Sequence, residues 1–362
     1  IELSQMNGVH VDLAARTAWA EGGCLEGHID HEAARFGMAT TGGIVSHTGA
    51  GGLTTGGGFG RLCRKYGMAC DNLIAADVVA PDGKLYRASE DENPELLWAL
   101  QGGGGNFGVV TGLKYRLYPM DSHVIAGDLV FAWKDARDVL NYYGQEGNNL
   151  DDSMNMNVFV GTNPEGEPFV SVEAVWAGDP DKFDAAIAPI KRVAKPVAET
   201  IASVPYVTFQ KRGDNSNRHG VRMYMKSSFV EDFSEDLTSE IIDVYEPNPI
   251  SAIYIMQSSG AVNRIAPDAT AFPHRSAHSN LMHWNQWFDR ETQDIEEQRI
   301  AMIRSNWKRL EPFTQGFYVN LNDDTEQKTF SNYGENYPRL VKVKDRFDPR
   351  NLMRMNANIR PS

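Results

Sequence analysis

Two glycine-rich stretches and two late polar-aromatic stretches hold the residues able to do chemistry. Residues 49–60 read GAGGLTTGGGFG, and residues 101–112 read QGGGGNFGVVTG. Glycine is costly to order, so a chain keeps it in bulk where the backbone must turn unusually or something must lie against it. Unhindered backbone N–H groups can cradle anionic oxygens. Both runs also contain residues that want burial, Leu53, Phe59, Phe107 and Val109, so they do not read as polar flexible linkers. A ligand cradle and a set of crowded turns both remain open. The late stretches are HSNLMHWNQWFD, from His278, and GFYVNLND, from Gly316. Read as strands, the first puts Leu281, His283 and Asn285 on one face and Met282, Trp284 and Gln286 on the other. The second puts Tyr318 and Asn320 together. An imidazole titrates near neutrality, which makes His283 a candidate for proton transfer. A phenol ordinarily titrates near pH ~10, so Tyr318 needs help to act as a base. Gln286 could orient a substrate but not deprotonate it.

The spacing excludes several chemistries. No GxxxxGK[ST] occurs, so there is no P-loop. Gly103, Gly105 and Gly108 match GxGxxG, but a helix precedes them and a strand follows, the reverse of a dinucleotide fingerprint. A nicotinamide cofactor is rejected on that ground. The three cysteines, Cys24, Cys63 and Cys70, form no CxxC pair or disulfide framework. His28 with His31, and His274 with His278, have helical spacing but no matching acidic ligands, so no metal site is assigned. A formal charge of -13 argues against nucleic acid or an anionic membrane as partner. No apolar run approaches the ~20 residues that span a bilayer. No secretory signal is visible, and the reading favours a soluble protein, cytoplasmic rather than secreted.

The elements that must position these residues follow from periodicity. Residues 1–24 read as a hairpin or meander, and HIDHEAARFG as a short helix stopped by Gly37. GMACDNLIAADVVAPDGKLYRAS gives two strands around Asp82-Gly83. ENPELLWAL starts a helix with Asn93 as cap and Pro94 in its first turn. VVTGLKYRLYP is a strand. From about residue 121 the texture changes to six strands, the last in HSNLMHWNQWFD, with helices at DKFDAAIAPIKRVA, SEDLTSEIIDVY and 290–311. GFYVNLND adds a seventh strand. The expected class is α+β, with a large antiparallel sheet covered by helices on one face. NYPRLVKVKDRF forms a last helix, ended by Asp348-Pro349.

The segment ATTGGIVSHTGAGGLTTGGGFGRLCRKYGMACDNLIAADVVAPDGKLYRASEDENPELLWALQGGGGNFGVVTGLKYRLYP resembles the PCMH-type FAD-binding domain of the vanillyl-alcohol oxidase superfamily. The tail FSNYGENYPRLVKVKDRFDPRNLMRMNANI resembles the C-terminal segment of its berberine bridge enzyme-like branch. The resemblance implies an FAD-binding domain over residues 1–120, a substrate domain over 121–330, and a C-terminal segment, 331–362, that returns to the FAD domain. It implies that Gly49, Gly52, Gly56, Gly57, Gly58 and Gly60 leave room for FAD. Asp71 and Asn72 would fix the turn after Gly67 and come near the flavin or its phosphates. Gly105, Asn106, Gly108 and Val110 would floor the adenosine end, and Asn356 and Asn358 would approach the isoalloxazine. Tyr318 is the family's tyrosine, a base or one of a tyrosine pair, with Asn320 assigned to the cofactor. Relatives also place a Glu, Gln or Lys from the His283 strand over the substrate.

The chain departs from the family pattern in three places. Where many members show YxNY, Leu321 replaces the second aromatic. The doubly linked members carry a cysteine where this chain has Gly49 or its neighbour, so no cysteinyl flavin link is expected. IELSQMNGVHVD resembles the stretch just after the segment that bears the flavin-linking histidine. The first part of the FAD domain is therefore expected to lie before Ile1, and His10, His28 and His47 take no such role. The function implied is an FAD-dependent oxidase acting on an alcohol, sugar or natural product, with O2 as acceptor and hydrogen peroxide as product. The alternatives are a truncated, flavin-free homologue that binds a ligand without turnover, and a dehydrogenase that excludes oxygen.

Overall fold

The computed structural model describes residues 1–287, 293–321, 329–354 and 357–362. Val9–Asp12 and Thr17–Glu21 form the expected hairpin. Leu73–Val79 and Leu85–Ser89 form another, with Gly83 at φ +80 supplying the left-handed turn position. Val109–Arg116 lies between the two hairpins and completes a five-stranded antiparallel sheet. The helix Pro94–Leu100 buries Leu96, Leu97 and Leu100 beside it. Asn93 stands before Pro94, but its amide does not cap the helix; it donates to Arg87 O at 2.8 Å. The helix Tyr337–Phe347 sends Leu340, Val343 and Phe347 into the same core, a stripe at helical spacing. The C-terminal segment therefore comes back to the first sheet.

A second, eight-stranded antiparallel sheet contains Pro168–Trp176, Met154–Thr162, Ala252–Gln257, Ser279–Trp287 and Arg222–Val230 as consecutive neighbours, with His123–Ala132 and two short strands at its other edge. Helices Ala136–Glu146, Phe183–Val193, Glu235–Tyr245 and Gln293–Leu310 cover one face. Alternation is the reason: Val158, Val172, Ile253 and Leu281 point to that face and meet Leu140, Ile187, Ile241 and Leu310. The architecture is the expected α+β. The other face of this sheet packs in part against the short helix Tyr206–Gln210, through Tyr206 and Phe209, and otherwise looks back toward the glycine-rich loops.

Three local readings change. GFYVNLND is not a strand: Gly316 takes φ +60, which breaks the extended chain, and Tyr318–Leu321 closes a turn with Leu321 N donating to Tyr318 O at 3.0 Å. Asn322 and Asp323 lie outside the described residues, as do 290–292 of the long helical run. The first glycine run is not all loop, because Ala50–Thr55 forms a short helix. The helix Ala136–Glu146 was not anticipated, since its buried stripe of Ala136, Val139, Leu140 and Tyr143 is short.

Candidate active site

Between the face of the large sheet opposite the four long helices and the loops above it lies a cavity of about 1090 Å³. Gly49, Gly52, Leu53, Tyr318 and Asn320 line one side. Tyr254, Met282 and Trp284 line the opposite, sheet side.

Tyr318 is the chemical centre of the first side. Its side chain is buried, packed edge-on to Phe59 with ring centroids 5.2 Å apart. Its Oη accepts from Gly58 N at 2.9 Å, from Phe59 N at 3.3 Å and from Asn320 Nδ2 at 3.0 Å. A neutral phenol oxygen offers two lone pairs and one proton, so three incoming donors suit the phenolate better. Burial acts the other way and pushes the hydroxyl up to about 12, while the bonds from Asn320, Gly58 and Phe59 pull it down. The two backbone donors point inward because Gly57 and Gly58 adopt φ +128 and +88, backbone that side chains rarely allow. Asn320 is itself oriented by a second bond, Nδ2 to Leu53 O at 2.9 Å.

The glycines of the first run divide into two kinds. At Gly49 and Gly52 a Cβ would meet nothing within 4 Å, and both face the cavity. The other four are packed against protein. A Cβ at Gly56 would lie 2.1 Å from Asn320 Oδ1, at Gly57 2.7 Å from Met68 Cε, at Gly58 2.4 Å from Ala69 Cβ, and at Gly60 1.9 Å from Gly42 O. These four are glycine because protein lies against them. Close packing accounts for these four, while Gly49 and Gly52 leave open backbone on the cavity.

Other residues singled out in the sequence are also engaged by protein. The Asp71 carboxylate, buried, pairs with both Arg275 nitrogens at 3.0 and 2.7 Å and accepts from Met68 N at 2.8 Å. Asn72 donates to Tyr66 O and Met68 O and accepts from Tyr118 Oη. Both hold the turn after Gly67, and neither lines the cavity. Asn106 donates to Gly103 O and Ala357 O and accepts from Ile359 N, so it clasps the tail to the second glycine run. Lys344, fully buried, strengthens that clasp by donating to Asn106 O, Asp348 Oδ2 and Met353 O. Gly108 is pressed against Val78 and Val79, and Val110 pairs with Val78 inside the sheet. Gly105 faces open space. Asn358 keeps a buried Oδ1 with no hydrogen-bond partner among the described residues. Asn356 lies outside them.

His283 is the main correction. The strand Ser279–Trp287 has the expected alternation, but it is Met282, Trp284 and Gln286 that face the cavity. His283 points to the helix-covered side, fully buried, with neither ring nitrogen bonded among the described residues. Burial alone drives its imidazole down to about 3, so it stays neutral. It cannot exchange protons with a molecule in the cavity.

Sequence reasoning missed the polar end of the cavity. Arg61 grips Glu173 through Nε and Nη2 at 3.1 and 3.0 Å, and Asn157 donates to the same carboxylate at 3.1 Å. Burial opposes the charge on Glu173, but Arg61 outweighs it and holds the carboxyl below its ordinary value. Arg212 binds Asp128 and approaches Glu173 at 3.5 Å. Arg61 and Glu173 stand 112 positions apart, and nothing local in the chain links them. Alternation on Pro168–Trp176 would have shown only that Glu173 shares a face with Ser171.

The comparisons with known proteins agree with this geometry. Residues 1–89 match the FAD binding domain model, and residues 317–360 match the model described as berberine and berberine like. A FAD-linked oxidoreductase of Dictyostelium discoideum is 30% identical over 365 residues, which are 100% of this chain and 79% of that protein. Among solved structures, 6-hydroxy-D-nicotine oxidase from Arthrobacter nicotinovorans superposes with a TM-score of 0.88 at 28% identity, over 99% of this chain and 82% of that one. Chitooligosaccharide oxidase shares the fold at a TM-score of 0.88 and 24% identity, over 100% of this chain and 82% of that one. The open faces of Gly49 and Gly52 fit a cofactor that lies close to backbone. The chain belongs to the FAD-linked oxidoreductases of the berberine bridge enzyme-like family, and its cofactor is FAD.

Proposed function

We propose that the protein is an oxidase that converts an alcohol carbon to a carbonyl, with O2 as acceptor and hydrogen peroxide as product. Bound FAD would supply a hydride acceptor for the substrate carbon. Tyr318 Oη takes the proton from the substrate oxygen. Asn320 Nδ2 and the N–H groups of Gly58 and Phe59 hold the phenol oxygen in place and offset the cost of its negative charge in a buried site. Gly49 and Gly52 give the cofactor access to bare backbone on the same cavity wall. Residues 1–120 would then serve as the FAD-binding domain, 121–330 as the substrate domain, and 331–362 as the segment that braces the FAD domain. The observation that carries the reading is the three-donor cradle on Tyr318, opening on the cavity shared with Gly49 and Gly52. The solved 6-hydroxy-D-nicotine oxidase, named as an oxidase, supports the choice of oxygen.

The test has two readouts. The first is the visible spectrum of the purified chain loaded with FAD, before and after acid precipitation. Flavin that leaves with the supernatant agrees with the absence of a cysteinyl link. The second is oxygen uptake against reduction of a dye acceptor during substrate screening. A protein that reduces the dye with its substrate but consumes no oxygen is a dehydrogenase, and the oxidase reading is then wrong.

A further inference from the structure

The sheet side of the cavity has a composition that selects among substrates. Register places Tyr254 opposite Phe159 on one neighbour and Met282 on the other. One rung along, Ala252 faces Trp284, which in turn faces Met225. These residues line the cavity together because positions two apart on a strand share a face. Phe159 and Trp284 lie 6.1 Å apart, and two small residues line the same hollow, Ala252 opposite Trp284 and Gly161 opposite Phe169. The result is a hollow of aromatic and thioether surface. Methionine adapts its shape to a ring and contacts it with a polarizable sulfur. Such a wall gains free energy from apolar area and gives little to hydroxyl groups.

Several of the polar groups around the hollow are already engaged. Glu173 accepts two bonds from Arg61 and one from Asn157. Asn285 donates to Ile250 O and accepts from Arg299. Thr162 is bound to Pro249 O and to Tyr245. The charged end is also balanced, because Arg61 and Arg212 stand against Glu173 and Asp128. An ion entering this cavity would lose hydration and meet no opposite charge in excess. A sugar chain would leave many hydroxyls without partners, which costs far more than a missing apolar contact. Tyr254, whose phenol burial keeps neutral, adds a hydrogen-bonding group at the centre of the wall.

Resting on the oxidase reading above, we propose that the cavity selects a neutral, flat, largely apolar ring alcohol, and that Met225, Met282 and Trp284 set this specificity against oligosaccharides and ions. The test is calorimetric binding to the full FAD-loaded chain, with four probes: naphthalene-2-methanol, naphthalene-2-carboxylate, naphthalene-2-methylammonium and cellobiose. The neutral alcohol is expected to bind at least about tenfold tighter than each of the others, a difference of about 1.4 kcal/mol. Met225→Gln and Met282→Gln should each weaken its binding by about tenfold, the scale of one buried apolar side chain. Met225→Leu keeps the apolar surface and should bind as the parent does. Cellobiose or either ion binding as tightly as the neutral alcohol overturns the inference. So does an equal loss in Met225→Leu and Met225→Gln, which would mean repacking. Binding needs no turnover, so the two readings fail separately. Selective binding of the ring alcohol without oxidation keeps this inference and removes the reaction. Oxidation of a sugar without ring binding does the opposite.

Discussion

Asn320→Ala tests the proposed chemistry at one atom. The substitution removes the Nδ2 donor 3.0 Å from Tyr318 Oη and leaves the Gly58 and Phe59 donors in place. A hydrogen bond to a charged oxygen contributes about 1.5–3 kcal/mol. At about 1.4 kcal/mol per pKa unit, the phenol should rise by roughly one to two units. If Tyr318 takes the proton, the rate falls by about 10- to 100-fold at pH values where the phenol is mostly protonated. The sign follows from the base form being the deprotonated one: activity rises with pH, and the variant's rise comes at higher pH. The assay is the anaerobic rate of flavin bleaching by substrate across the alkaline range, which reads the reductive half of the reaction alone. Because burial already holds the parent phenol at about 12, both profiles should rise in parallel, with the variant's about 10- to 100-fold lower. Gly56→Ala approaches the same atom from the other side, since its Cβ would fall 2.1 Å from Asn320 Oδ1 and displace the amide. It should shift the profile in the same direction. An Asn320→Ala rate that matches the parent's across the alkaline range, a profile that does not rise with pH, or a Tyr318→Phe variant that keeps the parent rate, would refute the reasoning.

Three further outcomes are expected. Burial, with the charge of Asp30 adding to it, holds the Glu26 carboxyl at about 8 against an ordinary 4.5. Such a group costs the fold nothing while both states are protonated, and the cost grows as pH climbs from the unfolded value to the folded one. Glu26→Gln should therefore raise Tm over the parent progressively between pH 4.5 and about 8, and leave it unchanged below that window. Lys344→Met leaves Asp348 buried without its cation, a loss on the order of 3–5 kcal/mol, read in denaturant unfolding and in faster proteolysis of the tail. His283→Leu removes from the core two ring nitrogens that have no partner among the described residues, so stability should hold or rise and the pH profile of the rate should not move.

Most of the scaffold was legible because its elements are local. The Asp82-Gly83 hairpin, the Leu340–Phe347 stripe and the alternation in Ser279–Trp287 each follow from spacing within a few residues. The family was legible for a similar reason: the two glycine runs and the tail are contiguous words. The site was legible only in part. Alternation showed that His283 and Trp284 face opposite ways, but which face meets the helices depends on where those helices pack. GFYVNLND alternates like a strand, yet Gly316 turns it away from the sheet and brings Tyr318 Oη to the backbone of Gly58, 260 positions earlier.

The sequence by itself determined most of the elements and the α+β class, since short-range periodicity encodes them, and its contiguous motifs, through their family resemblance, pointed to the cofactor. Only the tertiary structure decided which glycines meet open space and which meet protein, and which carboxylate Arg61 neutralises. It also decided which face of a strand lines the cavity. Each of these depends on side chains far apart in the chain, and a glycine or an arginine looks the same in sequence whatever lies against it.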